Sequence, residues 1–221
     1  FDRQRATQWT APHYLPLPSA EVYHRRRNHI GRKLRNEGAR FQDDVESIVW
    51  LYKIAPTTLQ VQATETMREI EVFLVELKND TCGAELFQFI DRFMPQYIVF
   101  LLHYENQYRF LINYKEWADA ERTRFTITQS FESGWLTTAQ LTLPMQGNEL
   151  PDIYENFVRY IASDKLSNNG EELKQSVLSY QEQQQLQKRL ATLQAQIAKE
   201  MQPKRKFELY QQIVELQKKL K

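Results

Sequence analysis

Glu69-Ile70-Glu71-Val72-Phe73-Leu74-Val75-Glu76-Leu77-Lys78 is the stretch whose reading decides the fold. Side chains of an extended chain alternate between faces, so Ile70, Val72 and Leu74 line one face and Phe73, Val75 and Leu77 the other. A strand apolar on both faces must be covered on both sides, and this segment therefore reads as the central strand of a sheet. It closes on Glu76-Leu77-Lys78, the one pattern in the chain that hints at catalysis.

Before it, Phe41 to Val45 reads as the end of a helix or a turn. Ser47 to Ile54 is a strand rich in β-branched and aromatic residues, ended by Pro56, with a short extended piece at Leu59 and Val61. After it, Asn79-Asp80-Thr81 is a turn and N-cap. Leu86, Phe87, Phe89, Ile90 and Phe93 then mark an amphipathic helix that Pro95 stops. Tyr97 to Leu102 is a buried strand, Glu105-Asn106 a tight turn, and Tyr108 to Tyr114 its hairpin partner. Arg124 to Thr128 alternates as a further strand, and a loop carries Leu141, Leu143 and Pro144. Asp152 to Ile161 forms a second helix with Ile153, Tyr154, Phe157, Val158 and Ile161 inward. Strand, strand, helix, strand, strand predicts an α+β domain over residues 41–166, a mostly antiparallel sheet with packed helices.

The flanks differ in texture. Residues 1–40 combine an extended arm, punctuated by Pro12, Pro16 and Pro18, with a basic segment in which Arg25, Arg26, Arg27, Arg32, Lys33 and Arg35 occur without an acid. Such a run can track nucleic-acid phosphates; it can also be a solvated helix balanced by Glu37, Asp43, Asp44 and Glu46, or a partner for carboxylates. Residues 171–221 turn to Gln, Lys, Glu and Leu. Leu186, Leu190, Leu193 and Ile197 repeat at four, three and four residues, and Leu209, Ile213, Leu216 and Leu220 repeat similarly beyond Pro203. This predicts an antiparallel helical hairpin, extended backward by Val177 and Tyr180, whose seams pair with each other or with another chain, including a second copy.

Bulk properties exclude several classes. The 221 residues carry a net charge of +1, so any basic surface is local. Cys82 is the single cysteine, which rules out an intramolecular disulfide and a cysteine-based zinc site. No apolar run reaches the ~20 residues of a membrane span, and a soluble, cytoplasmic protein is expected, with no cofactor and no membrane partner. The chain starts at Phe1 without a methionine, so the natural N-terminus is expected upstream.

Glu76 and Lys78 are the candidate catalytic pair. A metal-dependent nuclease of the restriction-endonuclease type holds Mg²⁺ on two carboxylates while a lysine steadies water or phosphate. Here the preceding strand ends Ile54-Ala55-Pro56-Thr57 without an acid; Asp43, Asp44 and Glu46 are expected at the wrong end of that strand, and Glu65 in the loop. His13, His24, His29 and His103 are too scattered for a metal site, and His103 reads as structural. Tyr104, Tyr108, Phe110 and Tyr114 form either a base-stacking platform or cross-strand core pairs.

Short words through the chain carry a resemblance: Leu17 to Val22, Asp43 to Ile48 leading into Trp50 to Pro56, Glu76-Leu77-Lys78, Gly134-Trp135, Tyr154 to Phe157, and Arg205 to Leu209. Over nearly its whole length the sequence resembles a bacterial domain-of-unknown-function family, the one numbered four-three-nine-one. The resemblance implies gene neighbours that are helicases and DNA methyltransferases of restriction-like, phage-defence systems; it transfers no catalytic residue. Together these readings predict a non-catalytic subunit or adaptor of a DNA-directed bacterial defence complex. A helicase or methyltransferase would be bound through Leu186, Leu190, Leu193, Ile197, Ile213, Leu216 and Leu220, and DNA, if contacted, through the basic segment. The alternative is the nuclease using Glu76 and Lys78.

Overall fold

The computed structural model describes residues 7–10, 43–92, 94–119, 125–167 and 170–220. The chain divides into two compact units, Phe1–Asp164 and Lys165–Lys221. In chain order the first holds β1 (Thr7–Thr10), β2 (Val45–Ile54), β3 (Ile70–Leu77), α1 (Ala84–Arg92), β4 (Tyr97–Tyr104), β5 (Gln107–Trp117), β6 (Phe125–Glu132), β7 (Thr142–Met145) and α2 (Leu150–Ala162). The second holds α3 (Leu173–Lys199) and α4 (Pro203–Lys219).

Five strands make one sheet in the order β2-β3-β4-β5-β6, and β1 pairs antiparallel with β7 in a separate two-stranded sheet. Three ladders of the large sheet are antiparallel; β3 and β4 run parallel, with α1 as the crossover between them. The α+β reading is therefore right, but the 70–77 strand is not the middle one. That place belongs to β4, whose first six residues are all buried, while β3 lies one strand nearer the edge. Two-sided apolarity says that a strand is internal, and cannot say where in the order it stands.

Each face is covered because the strands are apolar on both. Phe73, Val75, Leu77, Ile98, Phe100, Leu102 and Leu111 face α1, whose Phe87 is fully buried with its ring 5.1 Å from that of Phe100. The opposite face buries Ile70, Val99, Leu101, Phe110, Ile112 and Phe131. Toward it turn Ile153, Tyr154, Phe157, Val158 and Ile161 of α2, and Leu143 and Met145 of β7 come up to Tyr52, Ile54 and Val72. Apolar burial contributes about 25 cal/mol per Å², so both layers favour folding.

Turn chemistry departs from the expectation at two places. Asn79 Oδ1 accepts from both the N–H and the hydroxyl of Thr81, forming a side-chain turn, and the helix starts later, at Ala84, so Thr81 is not its N-cap. The loop expected around Leu143 is the strand β7, which β1 completes from far away in sequence. From β7 the chain enters α2 through Gly147, at φ 128°, where a Cβ would stand 2.5 Å from that of Asp152; both constraints demand glycine.

In the second unit a three-residue link turns α4 back along α3. Leu193, Ile213 and Leu216 are buried at the centre of the seam, with Leu186, Leu190, Ile197 and Leu209 packed around them. Apart from Leu220, just past the end of α4, the two predicted seams are thus spent on each other.

Candidate functional site

The parallel pair puts the carboxyl ends of β3 and β4 side by side, where open sheets with a βαβ unit present ligand-binding groups. Glu76 is opposite His103 in register, and its Oε2 lies 2.5 Å from His103 Nδ1. The His103 ring stacks on Tyr108, centroids 4.4 Å apart and planes 21° apart. Both members of the pair are half-buried. Glu76 is therefore committed to an imidazole. Lys78 is exposed, one residue beyond the strand.

The expected position of Asp43, Asp44 and Glu46 requires correction. β2 runs antiparallel to β3 with Val45 opposite Leu77, so the start of β2 lies beside the end of β3, and the Pro56 end is the distant one. The Lys78 N–H donates to the Asp44 carbonyl at 2.9 Å, and Asn79 Nδ2 donates to Asp44 Oδ1 at 3.0 Å. Even so, among the described residues no three His, Cys, Asp or Glu side chains converge as metal ligands.

On the α1 face of the same edge, Arg109 Nη1 pairs with Glu132 at 2.9 Å and its guanidinium lies 4.6 Å from the centre of the Trp135 ring. Nearby, the Cys82 thiol is pushed up to about 11 by burial, with the Asp44 carboxylate adding to the rise. A thiol held protonated in this way is a poor nucleophile.

Deeper in the sheet is a charged cluster that sequence reasoning missed. Glu71, Asp91, Asn113 and Lys115 are all buried. Lys115 Nζ donates to Asp91 Oδ1 at 2.5 Å and to the Gln96 and Met94 carbonyls at 2.5 and 3.3 Å. Asn113 Nδ2 donates to Asp91 Oδ2, the Ser130 hydroxyl donates to Asn113 Oδ1, and Gln88 Nε2 donates to the Ser130 hydroxyl oxygen. The Tyr154 hydroxyl donates to the Asn113 carbonyl at 2.7 Å. Burial raises Asp91 and lowers Lys115, each opposed by the other's charge; Glu71 adds to the field favouring the ammonium. The signal was present in phase: Asp91 stands four residues after Phe87 on the inward stripe of α1, and Lys115 shares the strand face of Leu111. With no solvent access at Asp91 or Lys115, this cluster ties α1 to the sheet rather than meeting substrate.

The tyrosine platform resolves into the cross-strand alternative. Phe110 and Tyr114 are buried in the sheet, Tyr108 stacks on His103, and Tyr104 lies on the opposite face. The basic segment Arg25, Arg26, Arg27, Arg32, Lys33 and Arg35 falls outside the described residues. Within the second unit, a cleft of about 600 Å³ is lined by Lys165, Ser179, Tyr180, Gln183, Lys219 and Leu220. At the other end of the hairpin Met201, Phe207 and Tyr210 are exposed.

A family model described as Domain of unknown function (DUF4391) matches residues 35–220. The chain belongs to the DUF4391 family. The DUF4391 match crosses both compact units, so the hairpin is part of the family's domain and not an appendage to it. β1 lies outside the DUF4391 span. No match was found among curated proteins or among solved structures.

Proposed function

We propose that this DUF4391 protein is a non-catalytic adaptor, a sheet domain that carries a helical docking arm. One observation supports it above the others: α3 and α4 satisfy their own seams, and the hairpin still exposes Phe207 and Tyr210, at 61% and 57% of their surface. A preformed helix pair that leaves large aromatic side chains in water has the properties of an interface element, since aromatic anchors dominate interface energetics. With the family resemblance, the partner is a helicase or DNA methyltransferase of a DNA-directed bacterial defence assembly, and the basic segment contributes any DNA contact.

Co-purification of the full chain with each such subunit encoded beside it tests this reading. Capture that survives high salt is expected. Failure to capture either subunit, together with salt-sensitive DNA binding lost when Arg25, Arg26 and Arg27 become Ala, overturns it in favour of a DNA-binding protein.

The second reading, a metal-dependent nuclease, gains support from the antiparallel β2–β3 register, which sets Asp44 at the same sheet edge as Glu76 and Lys78. Mg²⁺-dependent DNA cleavage that disappears in Glu76→Ala and Asp44→Asn, with folding intact, would establish it.

A further inference from the structure

α4 carries two stripes. One is the seam of Leu209, Ile213 and Leu216, turned toward α3. The other is Phe207, Tyr210 and Val214, spaced i, i+3 and i+7; at 3.6 residues per turn it lies roughly a third of the way round the helix from the seam. Phe207 and Tyr210 are exposed and Val214 is half-buried. The same helical spacing puts Lys206 on one flank of this stripe and Lys204 and Lys218 on the other, all exposed. The acids Glu208 and Glu215 fall beyond Lys204 and Lys218, away from the stripe. Arg205, on the far side of the seam, is turned to Glu200 at 3.5 Å.

Three apolar anchors at i, i+3 and i+7 form the pattern by which one helix face enters a hydrophobic groove. A cationic margin on both flanks demands an acidic rim on the receiving groove, because like charges there are costly and complementary ones steer the encounter. A second copy of this stripe would set lysine against lysine. A single nucleic-acid strand would take the lysines and the two rings, and leaves Val214 without a use.

We propose that the outer face of α4 docks, through Phe207, Tyr210 and Val214, into an apolar groove with an Asp/Glu-rich rim on a partner protein. This rests on the adaptor reading above and names the chemistry of its docking surface.

The test uses the full chain and, as probes, a helicase subunit and a DNA methyltransferase subunit of a restriction-like system and a single-stranded oligothymidylate. Wild type is compared with Phe207→Ala/Tyr210→Ala, with Lys204→Glu/Lys206→Glu/Lys218→Glu, and with Leu178→Ser, a control at an exposed apolar position on α3. Melting curves and helicity verify folding, which these surface changes leave in place. The aromatic variant is expected to weaken capture at least tenfold, the charge-reversal variant comparably, and the control less than twofold. Capture by both variants at the wild-type level overturns the proposal and leaves the adaptor reading standing. Loss of oligothymidylate binding with capture unchanged overturns it in favour of nucleic acid, and a dimer in sedimentation that the aromatic variant dissolves overturns it in favour of a second copy. If wild type captures neither subunit, the adaptor reading falls first and this proposal falls with it.

Discussion

Lys115 Nζ stands 2.5 Å from Asp91 Oδ1 with neither side chain exposed to solvent. The ammonium has an acceptor for each of its protons in Asp91 Oδ1 and the carbonyls of Met94 and Gln96, and it lies 4.2 Å from the centre of the Phe125 ring. One side chain on β5 thus clamps both the end of α1 and the link into β4. A buried pair can be no better than a hydrophobic replacement, yet removing one member strands a charge in a low-dielectric interior.

Lys115→Met alone is accordingly expected to lose about 3–5 kcal/mol in urea unfolding. Combining it with Asp91→Leu should recover most of that loss. A double variant no more stable than the single one would show that the geometry of the pair, and not its charge, holds α1.

Alkaline pH should act through Tyr154. Its hydroxyl is fully buried and donates to Asn113 O, and burial raises it well above the ordinary 10.0, with Asp91 adding to the rise. The folded state therefore keeps this proton where the unfolded chain releases it. The resulting stability is complete below about pH 10 and is lost as the pH rises beyond it. Tyr154→Phe should cost about 1 kcal/mol at neutral pH for the missing hydrogen bond, and its melting temperature should fall less steeply than wild type from about pH 8 to about pH 11. Parallel curves would assign the alkaline loss to other groups.

Cys82 provides a chemical readout of the β3–β4 edge. With its thiol at about 11 and the side chain buried, alkylation by iodoacetamide near pH 8 should run at least roughly a hundredfold slower in the folded protein than in urea. Asp44→Asn should move the folded-state rate upward, because the carboxylate is one cause of the raised value. Equal rates in the two states would mean that the edge opens readily.

The hairpin seam makes a separable prediction. Leu193→Ala removes a buried contact shared with Ile213 and Leu216 and should destabilise the second unit by about 2 kcal/mol. The loss should appear as reduced far-UV helicity at temperatures where the sheet, followed by tryptophan fluorescence, is still folded. A single transition with both signals coincident would show that the two units unfold as one.

What the sequence carried by itself is local and periodic. The alternation through Ile70 to Leu77, the helical stripe through Phe87 and Ile90, and the four-three-four leucine spacing on both sides of Pro203 each depend on near neighbours. All three reappear within a residue or two of the expected bounds. Pairing was not legible in that way. β4 at the centre, β3 parallel to it, and β1 meeting β7 across more than a hundred residues depend on contacts whose closure the local pattern does not encode. The same blindness put Asp44 at the far end of its strand, when an antiparallel register brings it to Lys78. It also hid Asp91 and Lys115: a charge in an apolar phase reads as a surface residue until its counter-charge is known to lie opposite. Periodicity determined which faces had to be buried, and only the tertiary structure decided what was buried against them, because burial is a property of two surfaces and each segment records one.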